Sequence, residues 1–310
     1  MAKNLVIFAH GFLGFKEKLG IRYWNGAVEY VQERLDKNLT RVKATEVEPA
    51  EGTKTRVRSL ARQVEEFLNQ DPRIENIHII AHSMGGLDAR RLATPDDTVY
   101  KVLAERKTTI TTISTPHKGS PLADFGYYLL RPSKKGLKSP LPERQKMEQV
   151  ALKLGVPVGW LEEAMKWLQD NVEYLKTLFG LEWPGFKELT TWGVPQFKNS
   201  RRVKYFSYCG EAWPPWPFSI KGDYLPTVSV PGWLLIYCKE GENDGSVSLK
   251  SGKWGKYKGT IPADHAEQIG FQFSLLDKHK FRYKEFYLEV VKDLCNKGEP
   301  TEVHEILSRI

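Results

Sequence analysis

Long apolar runs are missing from this 310-residue chain. The longest, such as Leu5–Ala9 and Trp233–Cys238, are far too short to cross a bilayer, so no transmembrane segment is expected. Cysteine is scarce. Cys209, Cys238 and Cys295 have no metal-type spacing and cannot all pair, and they read as small structural hydrophobes. Met1-Ala2-Lys3-Asn4 leads straight into a short apolar run, without the longer stretch and small-residue exit of a cleavable leader. The expectation is a cytoplasmic protein, or a secreted one if an export signal belongs ahead of Met1. Repeats and low-complexity segments are lacking too, and 41% hydrophobic with 27% charged residues excludes the disordered and fibrous classes. The net charge of +8 is not gathered into a stripe; only Arg90-Arg91, Lys134-Lys135 and Arg201-Arg202 form local pairs. A nucleic-acid surface would cluster such residues beside stacking aromatics, so nucleic acid is not an expected partner.

What is present is an alternation of short apolar strands and amphipathic helices, the pattern of a mostly parallel sheet covered on both faces. Strands are expected at Asn4–Ala9, Arg41–Val47, Ile77–Ala81, Thr109–Ser114, Val203–Tyr208, Trp233–Tyr237 and Gly259–Ile261. Helices are expected at Trp24–Leu35, at Thr55–Leu68 before the Asp71-Pro72 break, from Gly85 onward, and at Tyr283–Asn296. Ile77–Ala81 is apolar apart from His78, as a central strand buried on both faces should be. Between residues 121 and 200 the rhythm changes. This stretch is far longer than a crossover needs and carries a helical pattern over Trp160–Phe179, with Leu161, Met165, Leu168, Val172, Leu175 and Phe179 on one stripe.

The chemistry begins at Ile77-His78-Ile79-Ile80-Ala81-His82-Ser83-Met84-Gly85-Gly86, a strand, then small-x-Ser-x-Gly, then a helix. A nucleophilic serine at the tip of a sharp strand-to-helix turn needs small neighbours two residues away on each side, here Ala81 and Gly85. A serine that merely caps the next helix is the plain alternative. A hydroxyl needs a base to become nucleophilic, and the resulting oxyanion needs prepositioned N–H donors. The candidate donors are the backbone N–H groups of Met84, at the helix start, and of Phe12, in the His10-Gly11-Phe12 loop after the first strand; His10 itself reads as a residue that holds the loop. The acid and histidine should follow the serine in chain order. Asp244, in Asn243-Asp244-Gly245, and His265, in Asp264-His265, fit that order. Asp223, Asp264 and Asp277 remain rivals for the acid, and His279 and His304 for the base, with His304 in a polar tail. His78, His82 and His117 stand in the wrong chain order and read as structural.

Taken together, several runs resemble the bacterial true lipases, of both the pseudomonad and the thermophilic-bacillus type. They are Ala9-His10-Gly11-Phe12-Leu13-Gly14, Tyr23-Trp24-Asn25-Gly26, Ala81-His82-Ser83-Met84-Gly85-Gly86 and Thr115-Pro116-His117-Lys118-Gly119-Ser120-Pro121-Leu122-Ala123-Asp124-Phe125. Leu189-Thr190, Tyr205-Phe206-Ser207-Tyr208, Asn243-Asp244-Gly245 and Asp264-His265 follow in family order. The resemblance implies an α/β-hydrolase fold that starts on the oxyanion strand and hydrolyses carboxylic esters, as a triacylglycerol lipase or carboxylesterase with triglycerides or shorter acyl esters as substrates. Its departures are Ala81, where many relatives carry Gly, and the lack of the thermophilic group's zinc-binding insertion, so no zinc is expected. Calcium in that family is held by a carboxylate two residues after the histidine and by a loop ahead of the acid; Glu267 and Asp223 occupy those places, while Phe271-Gln272 replaces a further ligand.

The expected architecture is thus a hydrolase core over residues 1–120 and 201–310, with residues 121–200 forming a helical lid or cap. Its apolar stripe, with Trp183, Phe186 and Trp192 nearby, would cover an acyl pocket in water and open at a lipid–water interface. Uncovering a few hundred Å² costs several kcal/mol at about 25 cal/mol per Å² unless lipid replaces the protein surface. A fixed cap core is the plain reading of the same stripe. Ser83, His265 and Asp244 would act through an acyl-enzyme without an organic cofactor. Thioester or cutinase-like polyester hydrolysis by the same residues, a non-catalytic binding protein and a nucleic-acid binder are the competing readings.

Overall fold

The structure is a computed structural model that describes residues 3–12, 14, 17–18, 21–95, 103–130, 144–154, 184–212, 230–271 and 281–310. Besides a short antiparallel pair, Glu17–Lys18 with Ile21–Arg22, the strands are β1 (Asn4–Ala9), β2 (Thr40–Ala44), β3 (Asn76–His82), β4 (Lys107–Ile113), β5 (Val203–Gly210) and β6 (Lys256–Ile261). β1 to β6 form one sheet in the order β2-β1-β3-β4-β5-β6, and every neighbouring pair in it is parallel. The helices are α1 (Ala27–Glu33), α2 (Thr53–Gln70), α3 (Gly85–Leu92), α4 (Pro121–Leu130), α5 (Arg144–Leu154), α6 (Val230–Glu240), α7 (Tyr283–Lys297) and α8 (Val303–Arg309).

Alternation along β1 shows how the layers are built. Leu5, Ile7 and Ala9 pack with Val57, Leu60, Val64 and Leu68 of α2 and with Leu92 of α3. Val6 and Phe8, pointing the other way, join Ala27 and Val31 of α1 and Phe286, Tyr287, Val290 and Leu294 of α7. Parallel strands buried on both faces place their carboxyl ends along one edge, where such sheets carry their sites. The register Ala9↔Ala81 sets the loop after β1 directly beside the turn after β3.

Two expectations fail. Trp233–Tyr237 is not a strand but part of α6, with Trp233, Leu234, Leu235, Ile236 and Cys238 buried where α6 packs on α4 and α5. A short, wholly apolar run has no period that separates strand from helix. The deciding signals sit at its ends: Pro231 in the first turn, and Gly241, whose φ of 89° closes the last turn with an N–H bond to the Tyr237 carbonyl. The polar tail around His304 is also a helix, α8, whose Val303 and Ile306 are buried beside β6 while His304 is exposed.

Within residues 121–200, the stripe over Trp160–Phe179 and Trp183 lie outside the described residues. The following segment is docked on the core. Gly185 N–H donates to the Ala50 carbonyl (3.1 Å) and Ser120 N–H to that of Leu189 (2.8 Å). Thr191 gives its N–H (2.8 Å) and its hydroxyl (2.7 Å) to the Asp124 carboxylate of α4. Trp192 remains exposed and packs edge-on against Tyr127.

Candidate active site

Ser83 stands in the left-handed region, at φ 54°, between the end of β3 and the start of α3. A non-glycine residue there is strained and must be held by its surroundings. Its N–H donates to the Ile113 carbonyl (2.9 Å), and its carbonyl accepts the Thr115 hydroxyl (2.8 Å). The small neighbours are required sterically: a Cβ on Gly85 would lie 2.5 Å from the Ala9 carbonyl oxygen, and one on Gly11 2.7 Å from the Ser83 Cβ. The chain after β1 therefore passes against the serine. Met84 is the residue just ahead of α3, so its N–H precedes the first intrahelical hydrogen bonds.

His10 holds that loop, as expected. The Val47 N–H donates to its Nε2 (3.1 Å), which leaves the proton on Nδ1 to donate to the Gly11 carbonyl (2.9 Å). Burial first, then the Arg56 charge, push its pKa down to about 4, so the ring is neutral. Arg56 is a residue that sequence reasoning missed, because in the α2 pattern it reads as one more polar position. It is fully buried; its Nη2 donates to the carbonyls of His10 (3.0 Å) and Gly11 (3.2 Å), and its Nε donates to Asp88 of α3 (2.8 Å). One guanidinium thus ties the loop after β1 to the helix after Ser83. Burial, partly opposed by Arg56, raises Asp88 to about 6.

The structure brings Asp244 and His265 together. His265 Nδ1 lies 2.8 Å from Asp244 Oδ2, and the His265 N–H donates to the Asp244 carbonyl (3.0 Å). Asp244 is buried, whereas the His265 side chain keeps 21% of its surface open. Oδ1 of Asp244 accepts N–H bonds from Val247 (2.7 Å) and Ser246 (3.0 Å). Burial pulls Asp244 upward, but the His265 charge and these bonds outweigh it and hold the carboxyl below its usual range. Burial alone would lower His265; the Asp244 charge and hydrogen bond outweigh that and raise it. The His265 ring is 4.5 Å from that of His82, the residue before Ser83.

The rivals fall elsewhere. Asp264 turns its Oδ1 to the N–H groups of Ala266 (2.7 Å) and Glu267 (2.8 Å), and burial raises it to about 6. Asp223, Asp277 and His279 lie outside the described residues, and His304 is on the far α8. His78 is buried with Nδ1 2.9 Å from Thr109 Oγ1. His117 accepts from Arg90 (3.2 Å) and stacks on Trp254. Glu267 is buried rather than surface-exposed, and its Oε2 accepts the Asp264 N–H (3.0 Å). Asp223 being undescribed, no group of three or more metal-ligating side chains assembles among the described residues.

The Thr115–Ser120 run has a structural explanation that its spacing could not give. Thr115 braces the Ser83 carbonyl, and Ser120 Oγ donates to the Ser246 carbonyl (2.6 Å) beside Asp244. Gly119, at φ 77°, passes so close to the Thr190 carbonyl that a Cβ would lie 2.3 Å from its oxygen. One short loop therefore clamps the serine turn, the acid loop and the 184–193 segment. Phe186 of that segment stands 5.9 Å from Phe12, ring to ring, and walls the site on the oxyanion-loop side.

The fold is shared with known lipases and esterases. The PGAP1-like alpha/beta domain profile matches residues 18–131. The chain is 29% identical over 299 residues to "Triacylglycerol lipase 2" of Saccharomyces cerevisiae, spanning 90% of this chain and 75% of the yeast protein. Among solved structures, a metagenomic carboxyl esterase superposes with a TM-score of 0.60 at 16% identity, covering 96% of this chain and 76% of that one. The Staphylococcus hyicus lipase gives 0.55 at 19% identity, over 94% of this chain and 95% of that one. The mature Bacillus licheniformis lipase gives 0.55 at 18% identity, with 86% of each chain covered.

Proposed function

Taking the chain as an α/β-hydrolase, we propose that it hydrolyses carboxylic esters of lipids through Ser83, His265 and Asp244. The observation that carries this reading is the Asp244–His265 hydrogen bond, made at the same sheet edge where Ser83 holds its left-handed turn. The names of the yeast relative and of the structural neighbours support the same chemistry. Ser83 Oγ attacks the ester carbonyl while His265 Nε2 takes its proton; Asp244 keeps the imidazole proton on Nδ1 and stabilises the imidazolium. The oxyanion is met by the N–H groups of Phe12 and Met84. His265 returns the proton to the leaving alcohol, and water then attacks the acyl-enzyme with His265 again as base. The products are a free acid and an alcohol.

Membership of the bacterial true lipases is the finer form of this reading, carried by the Thr115–Phe125 and Tyr23–Gly26 runs. The lid belongs to it as well: residues 121–200 cap the acyl pocket and respond to a lipid–water interface. A nitrophenyl ester series from short to long acyl chains, beside a triglyceride emulsion, tests both. Turnover of the esters that vanishes in Ser83→Ala supports ester hydrolysis, and a rate jump beyond the substrate's solubility limit supports the lid. Turnover of acyl thioesters alone would favour the thioesterase alternative. Calcium at Glu267 and Asp223 is a separate proposal through which no step passes; an unchanged melting temperature after chelation would dismiss it.

A further inference from the structure

Behind the catalytic acid lies a set of buried polar groups that the mechanism above does not use. Gln268 Nε2 donates to Asp244 Oδ2 (3.1 Å), the same oxygen that receives His265. The fit is tight enough that a Cβ on Gly210 would lie 1.9 Å from that nitrogen. The other end of the amide, Oε1, is buried without a hydrogen-bond partner, and so is Nε2 of His82. The groups that favour a proton on the His82 ring are the Asp244 charge first, then the His265 carbonyl and then the Gln268 amide. At its opposite end, His82 Nδ1 lies 2.7 Å from the Tyr23 hydroxyl. Tyr23 stays protonated because burial drives its pKa up, and the Gly11 N–H faces its oxygen. A protonated phenol gives its hydrogen to Nδ1, which leaves Nε2 of a neutral His82 as the N–H, with the His265 carbonyl and the Gln268 amide as the acceptors on its side. Burial and the neighbouring His265 charge keep His82 neutral.

We propose that Tyr23, His82 and Gln268 form a positioning relay running behind Ser83, from the Gly11 loop to Asp244 Oδ2. The relay extends the Ser83–His265–Asp244 reading and rests on it. Its work is orientation. Asp244 Oδ2 takes two convergent donors, so the carboxylate cannot rotate away from His265, and His82 holds one tautomer beside the catalytic ring. All three act through Asp244 and His265.

The test uses the full-length protein with 15N-labelled histidine, His82 being assigned by the signal lost in His82→Gln. The relay predicts that neutral wild-type His82 carries its proton on Nε2. In Tyr23→Phe it moves toward the Nδ1 form. Gln268→Met keeps the side-chain volume while deleting both amide atoms. It should lower kcat on a soluble nitrophenyl ester about tenfold, with KM within about twofold. A wild-type His82 protonated on Nδ1, or a Gln268→Met enzyme with full kcat, overturns the relay. If Gln268→Met fails to fold, the wild-type tautomer alone decides. Ser83→Ala separates the two failures: residual turnover there sinks the triad itself, whereas an inert Ser83→Ala beside a fully active Gln268→Met sinks only the relay.

Discussion

The two halves of the site are fixed by different forces. On the nucleophile side, backbone and sterics do the holding. The Ser83 main chain is pinned in a left-handed turn by the Ile113 carbonyl and the Thr115 hydroxyl, glycines at 11 and 85 let three segments touch, and Arg56 grips carbonyl oxygens. On the acid–base side, the functional contacts run between side chains: Asp244, His265 and Gln268 meet at one carboxylate oxygen, while the Ser246 and Val247 N–H groups hold the other. A half built from backbone should tolerate loss of its functional atom without unfolding, but not loss of its braces. A half built from side-chain hydrogen bonds should lose turnover when a single proton or charge is removed, with little change in stability.

The largest expected effect follows from the first statement. Ser83→Ala should lower kcat on the order of 10⁶-fold and leave the melting temperature at or above the wild-type value, since only the hydroxyl is lost. An unfolded variant would break the comparison, because the turn would then depend on the side chain. Next is Asp244→Asn, with kcat down on the order of 10⁴-fold from the wrong imidazole tautomer. Its pH profile sharpens the contrast. In the wild type the Asp244 charge and hydrogen bond outweigh burial and raise His265 above 6.5, so activity should fall away below a midpoint higher than that value. Without the carboxylate charge, burial prevails and the residual activity should persist to lower pH.

Arg56→Met tests the braces. Deleting one partner of a buried ion pair typically costs about 3–5 kcal/mol. Here it also removes the Arg56 donor from the His10 carbonyl and one of the donors from the Gly11 carbonyl. Urea unfolding should register that loss, and kcat should fall because the Phe12 N–H drifts with the loop. Unchanged stability would mean the loop is held by something other than Arg56. Gly210→Ala probes the other half: its Cβ must displace the Gln268 amide, an overpacking worth about 1–3 kcal/mol, and kcat should drop while KM holds. The smallest effect is expected from Asp124→Ala. It frees Thr191 from two hydrogen bonds and should cost about 1–2 kcal/mol in urea unfolding, with turnover of short soluble esters unaltered.

The same contrast explains what could be read from the sequence. The serine turn, with Ala81, Gly85 and the buried β3 strand, is local: its constraints lie within ten residues of chain, and each leaves a mark in residue type. The parallel sheet was equally legible, because strands buried on both faces must be apolar throughout. That same rule misled at Trp233–Tyr237, where uniform apolarity belongs to a helix buried among others, and only Pro231 and Gly241 carry the distinction. Asp244 and His265 were legible through chain order and family resemblance, not through spacing. Arg56, Gln268 and Tyr23 were not legible as site residues. Their roles exist only through partners 32 to 46 residues away in the first case, 24 in the second and 59 in the third, and a polar residue on an amphipathic helix or in a loop gives no sign of such a partner.

The central claim is that His265, oriented by Asp244, activates Ser83 as a nucleophile. Covalent labelling by a fluorophosphonate, followed by peptide mass spectrometry and timed in the wild type, Ser83→Ala and His265→Ala, tests it most directly. The account predicts one adduct per chain on the peptide containing Ser83, none in Ser83→Ala, and labelling slowed at least about 10³-fold in His265→Ala. Labelling of His265→Ala at the wild-type rate, or an adduct on another residue, would contradict it.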